Sequence, residues 1–162
     1  MKIPLILVTL LRVVLGGILL FAGITKLMGF STFATNVGSY QMLPIGLVKP
    51  VSYVIVSAEI TLGIVLIIGY FSRGAGILSM FLFLIFAVAL TNALLQELTI
   101  ADCGCDNFLF SLLDLLGFTI SNVPNWKIVI ADIVLAVTCL GVVSSPQQGY
   151  GLDSLIRRDN LI

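Results

Sequence analysis

Four stretches of nearly unbroken apolar sequence constrain this chain more than any other feature. They cover residues 3–25, 51–71, 74–95 and 128–143. The first carries a single internal charge, Arg12, the second Glu59 and the fourth Asp132, while the third carries none. A helix needs about 20 mainly apolar residues to cross the hydrocarbon core of a bilayer. Three stretches reach that length. The fourth is shorter, but Asn125, Trp126 and Lys127 can seat its start among the headgroups. Strands with open edges would leave unpaired backbone groups in lipid, so the spans must be helical. The expectation is an all-α membrane protein, a four-transmembrane-helix bundle with short interfacial helices. It would occupy residues 1–143, with spans at about 3–28, 47–71, 74–97 and 125–143 and a polar tail over 144–162.

Composition agrees. Hydrophobic residues make up 59% of the chain and charged residues 10%, with a mean hydropathy of +1.19; soluble domains are usually about 25% charged. The formal net charge is +0, which argues against nucleic acid as a partner, because binding it needs a basic surface. The absence of histidine removes the commonest metal ligand and the usual general base. The cysteine spacing matches no zinc pattern, so no metal site is expected. The first apolar stretch resembles a signal peptide only superficially. It is too long, contains Arg12 and lacks an Ala-x-Ala-like cleavage site.

Four crossings place both ends of the bundle on one side. Lys2, Arg73, Arg157 and Arg158 fall there, against Lys26, Lys49 and Lys127 opposite. The positive-inside rule then favours cytoplasmic termini and sets Cys103 and Cys105 outside. Between the first two spans, Phe30, Phe33, Val37, Tyr40 and Leu43 recur at helical spacing, which predicts a short amphipathic surface helix ended by Pro44. Residues 108–120 predict a second interfacial or re-entrant piece. A tight hinge at Ser72-Arg73-Gly74 predicts that spans two and three are antiparallel neighbours.

The intramembrane charges need partners, since an unpaired charge at mid-bilayer costs about 3 kcal/mol or more. Arg12 lies about nine residues, or roughly 14 Å, into the first span. Glu59 lies about eleven or twelve residues, or roughly 17 Å, from the cytoplasmic end of the second. The matching depths predict an Arg12–Glu59 pair, either a structural lock or part of a polar site for a quinone or a proton. Asp132, Lys26 and Asn92 fall toward the outer leaflet and could frame a small polar pocket, although Lys26 alone would be expected to snorkel to the interface. Gly16, Gly17, Gly23, Gly63 and Gly69 point to close helix packing.

Cys103-Gly104-Cys105 is flanked by Asp102 and Asp106. Cysteines one residue apart can close a disulfide only through a sharp bend, which glycine permits. A strained, exposed disulfide exchanges readily and tends to be oxidising. Redox activity is one reading; the other is two ordinary loop thiols, or ligands to a metal shared with a partner. Cys139, inside the fourth span, reads as a small apolar residue.

Several of these residues together resemble the DoxX/MauE-type family of membrane proteins, most closely its MauE branch. The resemblance is carried by Arg12-x-x-Leu15-Gly16, Phe21-Ala22-Gly23-x-x-Lys26-Leu27, Phe33, Tyr40 and Leu43-Pro44. It continues through Glu59-x-x-x-Gly63, Leu66, Gly69, Arg73, Ala89-x-x-x-Ala93, Cys103-Gly104-Cys105, Trp126 and Asp132. It spans about residues 10–135. Two positions depart from the family pattern: Asp106-Asn107 stand where Phe-Gly is common, and Ala131 where an arginine often precedes the aspartate. The resemblance implies a four-helix membrane fold and a role in thiol–disulfide redox. Cys103 and Cys105 would then be the catalytic pair, exchanging electrons with an extracytoplasmic thiol protein and with a quinone as candidate acceptor. The expected setting is a bacterial inner membrane, crossed several times. The alternative reading is a non-catalytic accessory subunit of a larger membrane electron-transfer complex, suggested by the absence of a soluble domain and by the glycine-rich faces.

Overall fold

A computed structural model of the chain describes residues 5–96 and 126–144. All regular structure among these residues is helical. Helix α1 is Leu5–Met28, α2 is Phe30–Ser39, α3 is Ile45–Ile68, α4 is Ser72–Leu95 and α5 is Trp126–Ser144. Four of them, all but α2, are long and apolar enough to cross a membrane. Their outward faces carry bare hydrocarbon: Ile6, Val54, Phe81, Ile85, Val88, Ile130 and Val137 are all exposed. Such a surface is stable only in lipid or against another protein.

The bundle is built from two tight antiparallel pairs, α1 with α3 and α4 with α5. Glycine sets the first pair. A Cβ on Gly63 would lie 2.7 Å from the Leu20 backbone nitrogen and 2.8 Å from the Gly16 carbonyl oxygen, and one on Gly23 would lie 2.7 Å from Ile60 Cγ1. The two backbones therefore touch, as small residues allow in membrane helix pairs. Gly17 differs from the expectation: it faces open space. The second pair closes on Ala75, Phe83, Ala136, Cys139 and Val142 in the core, with Gly76 against Val143. Cys139 is a free, fully buried thiol within this packing.

The connection between the pairs also differs from the expected hinge. Helix α3 ends at Gly69, whose φ of 75° is left-handed and whose N–H donates to the Val65 carbonyl at 2.9 Å. Glycine adopts that conformation without steric cost. Helix α4 already begins at Ser72, so Ser72, Arg73 and Gly74 are helical and the turn occupies 69–71. Although joined so closely, α3 and α4 touch far less than the members of either pair.

Helix α2 follows the predicted amphipathic pattern, burying Phe33 and Ala34. It is tethered to α3 by stacking of Phe30 on Tyr53, with ring centroids 4.0 Å apart. Pro44 does not end α2 but caps the start of α3. The predicted 108–120 piece and the 144–162 tail lie outside the described residues, apart from Ser144.

Gly63→Leu is expected to force the α1 and α3 backbones apart and cost about 1–3 kcal/mol, whereas Gly17→Leu should be nearly silent. Reversible unfolding in mixed micelles, followed by circular dichroism, measures both.

Candidate functional site

The close approach of α1 and α3 fixes which charges meet. Gly23 lies against Glu59 and Ile60, and Gly16 against Gly63 and Ile67. Lys26 is one turn beyond Gly23, and helical side chains lean back toward their own N-terminus. Its ammonium therefore reaches back into the bundle and pairs with Glu59 Oε1. Lys26 is 5% exposed and Glu59 1%. This lysine does not snorkel outward. It also lies over two aromatic rings, 4.5 Å from the Phe86 centroid and 5.4 Å from that of Phe33. Cation–π contacts of this kind strengthen when desolvated.

Arg12 is the expected partner of Glu59, and the structure places it elsewhere. Its guanidinium lies against Gly69, where a Cβ would come within 2.6 Å of Cζ and both Nη atoms. Gly69 is ten residues from Glu59, or about 15 Å along the helix axis. Arg12 is buried there, beside the carbonyl end of α3, where a positive charge complements the helix dipole. The expected match of depths assumed that the two spans start level. The glycine contacts instead offset them, so that Arg12 reaches only the end of α3.

Asp132, on α5, is 6% exposed and within electrostatic range of both Lys26 and Glu59. Helices α1 and α3 thus bring Lys26 and Glu59 into contact, and the buried Asp132 of α5 lies near enough to feel both charges. Among the described residues, Glu59 Oε2 and Asp132 Oδ2 have no hydrogen-bond partner. Asn92 is not drawn in: its Oδ1 accepts from Gln96 Nε2 at 2.8 Å near the end of α4. The described residues contain no group of three or more acidic or cysteine side chains placed to hold a metal ion. Cys103 and Cys105 lie outside the described residues.

A feature absent from the sequence reading adjoins the cluster. Where α3 and α4 separate, a pocket of about 490 Å³ opens between α2, α3 and α4. Exposed Phe81, Ile85 and Val88 form its outer edge, and buried Phe33, Tyr40 and Leu90 its inner wall. Phe33 and Phe86 belong to both structures, separating the pocket from the Lys26 ammonium by one ring.

The fold and site define a polytopic helical membrane protein with a buried charged cluster beside a partly open apolar pocket. The family model described as methylamine utilisation protein MauE matches residues 4–145, and the chain belongs to that family. The wider kinship with DoxX-type proteins lies beyond what this match reaches. No curated protein and no solved structure matches the chain.

Lys26→Met is expected to cost about 3–5 kcal/mol, because it strands buried carboxylates. A double-mutant cycle of K26M with E59Q should show coupling of about 0.5–3 kcal/mol, whereas R12M with E59Q should add within about 0.5 kcal/mol. Coupling between Arg12 and Glu59 of the larger size would contradict the geometry.

Proposed function

We propose that this chain is a membrane-embedded thiol–disulfide redox protein of a bacterial cytoplasmic membrane, with its termini inside and the Cys103–Cys105 segment outside. Cys103 and Cys105 exchange electrons with an extracytoplasmic thiol protein, and a quinone in the bilayer is the terminal acceptor. The net step is two thiols plus a quinone giving a disulfide plus a quinol, with two electrons and two protons moving together.

The observation that carries this reading is the pocket. Its apolar walls suit a hydrocarbon ring and tail, and its edge is formed by exposed apolar residues of a membrane-length helix. The chain has only one closely spaced cysteine pair, so no second dithiol of its own can take the electrons; a bilayer-soluble acceptor supplies that role. The segment carrying the pair connects α4 to α5. Helix α4 ends and α5 begins at the end of the bundle nearer Lys26 and Asp132, opposite the 69–71 turn.

Maleimide trapping of the full-length protein in membrane vesicles tests this. Cys103 and Cys105 are expected to switch together between blocked and reactive states when the vesicles are oxidised or reduced. Cys139→Ala should leave that switch unchanged, while Cys103→Ser and Cys105→Ser abolish it. Ala89→Trp, which fills the pocket, is expected to slow reoxidation by a short-chain ubiquinone analogue about tenfold, equivalent to about 1.4 kcal/mol of lost binding. Cysteines that remain unreactive under both conditions would sink the proposal.

A further inference from the structure

We infer that Lys26, Glu59 and Asp132 form a proton-binding site inside the bundle, in which the two carboxylates together hold one proton. The first argument is charge. With all three side chains ionised, two negative charges face one positive charge, leaving a net charge of minus one. The three are nearly sealed from solvent, at 5%, 1% and 6% exposure. An uncompensated charge in such a setting is strongly disfavoured and is relieved by gaining a counter-charge or a proton.

No other described cation is placed to relieve it. Helix α2 contains no charged residue. The only charged side chain of α4 is Arg73, at the far end of that helix. Arg12 sits against Gly69, fourteen residues before Lys26 on α1, or about 21 Å along the axis. Lys49 on α3 and Lys127 on α5 are exposed at the surface.

The second argument is hydrogen bonding, and it is independent of the first. Glu59 Oε2 and Asp132 Oδ2 are buried acceptors with no donor among the described residues. Ionised carboxylates can only accept, whereas a protonated one also donates. A single proton, taken up as RCOO⁻ + H⁺ → RCOOH, neutralises the cluster and adds a donor beside these acceptors. No electron moves in this step. Lys26, which pairs with Glu59, lies over the Phe33 and Phe86 rings that also line the pocket, so a bound acceptor that takes up hydrogen could draw on the proton through this cluster. The site itself does not depend on the thiol chemistry.

Infrared difference spectroscopy of the full-length protein in lipid vesicles tests this directly. At neutral pH the wild type is expected to show a carboxylic-acid C=O band that shifts on exchange into D2O. Asp132→Asn and Glu59→Gln should each remove the band completely, because either remaining carboxylate is balanced by Lys26. Absence of the band in the wild type, a measurement that needs no variant, overturns the proposal. Survival of the band in either single variant also overturns it, since each carboxyl would then be protonated on its own account. None of these readings depends on whether Cys103 and Cys105 cycle, so failure here and failure of the redox reading are distinguishable.

Discussion

The contact of the α1 and α3 backbones through Gly16, Gly23 and Gly63 governs the rest of the structure. Because carbonyl and amide atoms meet at these positions, the two helices can neither slide nor rotate without collision. Their axial offset is therefore fixed, and with it the level of every polar side chain they carry. Lys26 is brought to Glu59, and Arg12 is carried away to the end of α3. A different glycine spacing would produce a different set of charge pairs from the same charged residues.

Charge and packing then divide the work. The ion pair in the first helix pair and the small-residue contact of α4 with α5 hold each half together. The halves meet less closely, and the space left between α3 and α4 is the pocket. Phe33 and Phe86 close the gap between apolar cavity and buried ammonium. They present the negative faces of their rings to Lys26. Asp132 enters this arrangement from the second pair and links the two halves electrostatically.

The membrane fold was readable because hydropathy over bilayer-length segments leaves few alternatives. Helix α2 was readable from the spacing of its aromatic residues, and the burial of Glu59 and Asp132 from the cost of exposing acids to lipid. The pairing was not readable from segment ends, because apolar run boundaries do not define register. Aligning Gly16 and Gly23 with Gly63 would have placed Lys26, not Arg12, opposite Glu59. Lys26 departs from snorkelling for a second reason: that rule assumes the side chain extends toward water, but near the C-terminus of α1 it leans back into the bundle. The pocket left no mark in the sequence, since it arises from two helices failing to touch.

The pairing of Lys26 with Glu59 bears on how the chain is made. Both partners are contained in the first two spans, so a nascent chain that has just released Ile68 from the ribosome already holds the means to neutralise its own acid. The first hairpin can leave the translocon without presenting a bare carboxylate to lipid. Asp132 emerges later and meets a lysine that Glu59 already neutralises, so the order of synthesis settles which acid takes the cation and which is left over.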